Sequence, residues 1–91
     1  MIIAKVVGHV WATKKEDSLS GLKLMVVKKL SGGESFVAVD VVGAGIGERV
    51  LTVSGSTARR AVGKDDLPVD CAIVGIIDAI EVDKEARTKN E

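Results

Sequence analysis

The sequence predicts an all-β chain in the main: a small five-stranded OB-like β-barrel with one short helix. Three observations predict it. Apolar residues fall into about five strand-like runs, the first three alternating with a period of two. Clusters of Gly, Ser and Asp, with the single Pro, punctuate the chain between runs. One short helical segment stands between the fourth and fifth runs. Closure into a barrel removes the sticky edges that such strands otherwise leave.

The elements follow in order. Ile2 to Thr13 places Ile2, Ala4, Val6, Gly8, Val10 and Ala12 on one face and Ile3, Lys5, Val7, His9, Trp11 and Thr13 on the other. This is a long strand with one core face, and Gly8 marks a bend or bulge. Lys14 to Gly21 is a charged loop. Leu22 to Leu30 is the second strand, and Ser31-Gly32-Gly33-Glu34 is a hairpin turn signal. Phe36 to Val42 is the third strand and Arg49 to Val53 the fourth. Ser56 is placed to cap a helix over Thr57 to Val62, which Gly63 ends. Lys64 to Asp70 is a loop, since Pro68 forbids a central strand. Cys71 to Val82 is the last strand; its middle, Ile73 to Ile77, is apolar on both faces and is expected to be covered on both sides. Residues 1–82 thus form one barrel domain, and residues 83–91 (DKEARTKNE) a polar, flexible tail.

Composition narrows the function. A chain of 91 residues buries only about 60–65% of its unfolded surface and is marginal alone. Oligomerisation is one remedy. Trp11 and Phe36 are the only aromatic residues, so the core is built from Val, Ile, Leu and Ala. Thirteen basic and thirteen acidic residues cancel, which leaves no general electrostatic footprint for nucleic acid or an anionic membrane. No apolar run approaches the ~18–20 residues of a membrane span. The start, MIIAKVV, lacks the parts of a signal peptide, so a cytoplasmic protein is expected.

Residue constellations give no catalytic site, metal site or cofactor. His9 has no nearby Ser, Cys or acid in sequence. Cys71 is single and lies in the apolar run CAIVGII, so it reads as buried and inert. Asp65-Asp66 reads as a solvated loop pair, and Ser56 has no base at a suggestive spacing. Asp40 lies inside an apolar strand, where a carboxylate must be paired or hydrogen-bonded; the N–H groups of the following glycine loop are its expected partners. An OB-like barrel raises single-stranded nucleic-acid binding as the alternative function, but such sites stack bases on aromatic rings in a basic groove. The basic pairs here (Lys14-Lys15, Lys28-Lys29, Arg59-Arg60) are not interleaved with aromatics.

The chain is organised around Val37 to Arg59, VAVDVVGAGIGERVLTVSGSTAR. Glycines at 43, 45 and 47 interrupt two strand-like runs, and three readings compete. A phosphate loop fits poorly: Glu48 stands where a dinucleotide fingerprint has its third glycine, a strand rather than a helix follows, and no Lys-Ser pair is present. A wide β-hairpin turn is what local physics favours. A close-packing loop at a subunit contact is the third.

This stretch resembles the signature of the EutN/CcmL family of bacterial microcompartment shell proteins. IAKVVGHVWAT (Ile3 to Thr13), LSGLKLMVV (Leu19 to Val27) and AIVGIID (Ala72 to Asp78) resemble it too, in the same order. The resemblance implies a homopentamer at the five-fold corners of a polyhedral shell, beside hexameric shell proteins that tile the facets. It implies a structural role, with no enzyme activity, cofactor, nucleic acid or membrane. Groups near a ring axis crowd their own copies, which suits glycine. The expected subunit-contact or pore residues are therefore Asp40, Gly43, Ala44, Gly45, Gly47, Glu48, Arg49, Gly55, Ser56 and Arg59. Glu48 is expected to pair with a neighbouring chain's Arg59 or with helix N–H groups near Ser56.

Overall fold

The computed structural model describes residues 1–12, 15, 17–63 and 67–82. Five strands close into a barrel: β1 (Ile2–His9), β2 (Lys23–Lys29), β3 (Ser35–Asp40), β4 (Arg49–Ser54) and β5 (Cys71–Ile76), in the order β1-β2-β3-β5-β4. Helix α1 (Ser56–Val62) joins β4 to β5, and a 3-10 turn at Asp17–Leu19 precedes β2. The predicted barrel and its single helix are therefore present. Residues 83–91, read as a flexible tail, lie outside the described residues, as do Asp65 and Asp66.

The wall separates two apolar clusters. Inside lie Ala4, Val6, Met25, Val27, Ala38, Val50, Cys71 and Ile73, with Phe36 packed against them. Outside, Val39, Val53, Ala58, Leu67, Val69 and Ala72 form a second cluster, in which α1 and residues 67–69 cover β3, β4 and β5. Neighbouring residues in a strand project to opposite faces. Cys71 and Ile73 therefore serve the interior while Ala72 serves the outer cluster. Two-sided cover is complete over Cys71–Ile73 and fades further on, where Val74 and Gly75 are half-buried and Ile76 is exposed.

Four expectations need correction. First, β1 ends at His9 and β5 at Ile76, short of the predicted Thr13 and Val82. Past Ile76 the partner β4 has ended at Arg49, whereas past His9 the chain keeps one bond to β2, Val10 N–H to Leu24 O at 2.9 Å, and then leaves it. Second, β1 pairs Val6 with Val27 and then Gly8 with Val26, so Val7 is an extra residue in the ladder. Residues directly opposite share a side of the sheet. Past the bulge, Gly8 sits with outward Val26 and His9 with buried Met25, so the face of Ala4 and Val6 does not continue through Gly8. Third, β3 and β4 do not pair with each other. The parallel contacts of β3 with β5 at Val39↔Ala72 and Asp40↔Ile73 come between them, which excludes the hairpin reading. Fourth, Ser56 is the first residue of α1 and Gly55 is its N-cap, with no side-chain cap bond. At the far end Gly63 adopts the left-handed conformation, and its N–H reaches the carbonyls of Arg59 and Arg60, as a terminal glycine should.

Candidate functional site

Because β3 and β4 are not neighbours, residues 41–48 must cross one end of the barrel. Asp40 holds that crossing in place. Its side chain has no exposed surface. Oδ1 accepts hydrogen bonds from the N–H groups of Val42 and Gly43, both at 3.0 Å, and Oδ2 accepts from Ala44 N–H at 2.7 Å. The loop N–H groups are thus the partners of the carboxylate, as anticipated. Sequence reasoning missed Lys23, which faces Asp40 across β2–β3. Its ammonium lies 3.4 Å from Oδ2 and donates to Ala44 O at 2.9 Å. The one available signal was that a buried carboxylate calls for a cation. Choosing which lysine required the strand register.

Ala44, drawn in by these bonds, is fully buried and stoppers the barrel end. Gly43 and Gly47 hold φ of +84° and +95°, conformations that favour glycine. Gly45 does not, and its need is space: a Cβ there would stand 3.3 Å from Glu48 Oε1. That carboxylate oxygen accepts Gly45 N–H at 2.6 Å, while Glu48 N–H donates to Gly45 O at 3.2 Å. Gly47 N–H donates to Val6 O at 2.8 Å and Val6 N–H to Glu48 O at 2.9 Å, extending the β1–β4 ladder under the loop. The loop is a fixed cap whose tip, Ile46, is 67% exposed.

The expected contact residues fall into two groups. Asp40, Gly43, Ala44, Gly45, Gly47, Glu48 and Arg49 share the loop end. Gly55, Ser56 and Arg59 lie past the opposite end of β4, about 17–20 Å away for a strand of this length. The fold does not bring Glu48 to the helix start of its own chain. Arg59 has a local partner, with Nη1 donating to Val69 O at 3.4 Å, and Gly55 N–H donates to Asp70 O at 2.9 Å. Together these bonds bind α1 to the segment leading into β5.

His9 and Cys71 lie outside the glycine loop. His9 stacks on Trp11 with ring centroids 3.9 Å apart and planes 1° from parallel, although Trp11 is 84% exposed. Cys71 is buried beside Thr52, and burial pushes its thiol pKa up. Among the described residues no group of three or more His, Cys, Asp or Glu is placed to hold a metal ion. No helix among them is long and apolar enough to cross a membrane.

Comparison with known proteins gives this geometry a family. The family model described as "Ethanolamine utilisation protein EutN/carboxysome" matches residues 1–78. The chain is 48% identical over 86 residues to the bacterial microcompartment shell vertex protein GrpN of Rhodospirillum rubrum, covering 89% of this chain and 97% of that protein. It is 44% identical over 88 residues to the carboxysome shell vertex protein CcmL of Thermosynechococcus vestitus, covering 91% and 89%. The solved structure described as the GrpN pentameric microcompartment shell protein superposes with a TM-score of 0.81 at 44% identity, over 90% of this chain and 99% of that one. With a family model spanning most of its length and relatives well above 30% identity, the chain belongs to the EutN/CcmL family.

Proposed function

We propose that this protein is a structural subunit of a bacterial microcompartment shell in the cytoplasm, that it assembles as a homopentamer, and that the pentamer caps the vertices where facets of hexameric shell proteins meet. It is not an enzyme on this reading. The observation that carries it is the end-to-end match to shell vertex proteins, one of them described as pentameric. Physical support comes from the surface. Ile46 and Trp11 stand open at the glycine-loop end of the barrel, and Met1 and Leu30 at the other. A ring of copies buries such area. Nucleic-acid binding has less support: Phe36 packs against the interior cluster, which leaves Trp11 as the one exposed aromatic ring.

Static light scattering tests the assembly. The expected mass is five times the 9.5 kDa protomer, unchanged by chelator or reductant. A protein that stays monomeric at micromolar concentration refutes the reading. In the cell, deletion of the gene should leave shells unclosed or elongated while the enclosed enzymes remain active in lysate. Normal compartments in a strain with no second vertex homologue count against the vertex role.

A further inference from the structure

Past β5 the chain leaves the barrel with unmet capacity for contact. Ile77 N–H donates to Arg49 O at 2.9 Å, and no main-chain hydrogen bond ties residues 78–82 to anything further among the described residues. All five residues of this segment are exposed: Asp78, Ala79, Ile80, Glu81 and Val82. It carries two large apolar side chains and two carboxylates, on a backbone with no main-chain partner among the described residues. Such a run is suited to lie on another surface.

The outer face of β1 and β4 offers a surface of complementary character. Ile3 faces Leu51 and Lys5 faces Arg49 across the ladder. Lys5 and Arg49 are both exposed, and like charges directly opposite destabilise a sheet. Neither is within 4.0 Å of a carboxylate among the described residues, where the ion pairs are Lys23–Asp40 and Lys29–Glu34. Exposed Ile3 and Val7 flank the two cations. The pattern is apolar, basic, apolar; that of the arm is acidic, apolar, acidic, apolar. The arm's own carboxylates do not meet these cations within the chain, although Ile77 is anchored at Arg49.

We propose that residues 78–82 of one protomer lie across the outer face of β1 and β4 of the next, with Ile80 seated against exposed Ile3 and with Asp78 and Glu81 neutralising Lys5 and Arg49. Arm and face are different surfaces of one chain, so the contact is heterologous and repeats around a closed ring. The proposal rests on the ring assembly above and names the surfaces that make it.

Charge exchange tests it. Lys5→Glu with Arg49→Glu should raise the concentration at which the ring dissociates by about tenfold or more. Adding Asp78→Lys and Glu81→Lys to the same chain should restore it, which a general loss of fold would not allow. Circular dichroism checks that the barrel persists, and sedimentation over a dilution series reads the mass. As a second measurement, Ile80→Cys protomers mixed with Ile3→Cys protomers, both in a Cys71→Ser background, should form an interchain disulfide on mild oxidation. A parent that is pentameric, with a charge-reversed variant as resistant to dilution as the parent and no interchain disulfide, overturns the arm contact and leaves the ring intact. A monomeric parent overturns both.

Discussion

Lys23 and Asp40 stand opposite each other on β2 and β3, and the carboxylate of the pair has no exposed surface while the ammonium is partly in water. The asymmetry sets what each substitution does. Asp40→Ala removes the acceptor for three loop N–H groups and frees Ala44 from the barrel end. It should cost about 2–4 kcal/mol. Lys23→Met leaves the three N–H donors in place and should cost less, about 1–3 kcal/mol. Urea unfolding at one fixed protomer concentration measures both, because assembly shifts apparent stability. Equal losses for the two variants would show that the ion pair, rather than the N–H cradle, holds the loop.

Glu48 is exposed and its Oε1 is engaged by Gly45 of the same chain. Glu48→Ala should therefore lower protomer stability by only about 0.5–1.5 kcal/mol. Gly45→Val places carbon against that carboxylate oxygen and turns it away, with little change in circular dichroism. If the loop also touches a neighbouring protomer, both variants dissociate at higher concentration than the parent. Sedimentation that shows both rings as resistant to dilution as the parent would put the subunit contact elsewhere.

The start of α1 rests on backbone conformation. Gly55 holds φ +65° and ψ −142°, a region close to glycine-only, and the Ser56 side chain makes no cap bond. Gly55→Ala should cost about 1–3 kcal/mol, whereas Ser56→Ala should stay within about 0.5 kcal/mol. Thermal unfolding of the two variants separates them. A larger loss at Ser56 would mean that its hydroxyl caps the helix in solution.

Cys71 should react slowly. Burial raises its pKa above 9.0, Thr52 lowers it by a hydrogen bond, and Asp70 raises it by charge, with burial the largest of the three. At pH 8 the thiolate fraction is then smaller than in the unfolded chain. Iodoacetamide labelling followed by mass spectrometry should be much slower in native buffer than in urea. The linkage sign follows: the folded state holds this proton more tightly, so the thiol's contribution is complete below the unfolded pKa and is lost as pH rises past 9.0. Labelling at equal rates in the two solvents would contradict the burial.

The two stacked rings allow a separate check. Trp11 is the only tryptophan, so fluorescence reports on it alone. Removing it should cost the barrel no more than about 0.5–1.5 kcal/mol, the value of an aromatic pair, because its outer face is in water. A much larger loss would place Trp11 in a packed contact.

Local pattern by itself determined a good deal. Alternation in Ile2 to Thr13 put Ala4 and Val6 on the core face, where both are fully buried, and failed past the bulge at Val7. The apolar character of Asp40's strand demanded partners for its carboxylate, and the N–H groups of the loop that follows, Val42 to Ala44, supply them. Gly8 announced a bulge and Gly63 a helix end, because each needs only its own neighbours to act. The order of motifs along the chain pointed to the family. The tertiary structure decided what depends on distant residues. That β5 lies between β3 and β4, so that the glycine segment crosses a barrel end instead of turning a hairpin, is a choice made across some thirty residues of chain, beyond the reach of any local signal. Lys23 became the partner of Asp40 only when β2 and β3 fixed their register. His9 changed faces because one inserted residue at Val7 shifts everything after it, and β5 stopped where its partner β4 begins. Composition sets which residues prefer a strand, but pairing sets where strands stop and what they face, and pairing is a property of the closed barrel.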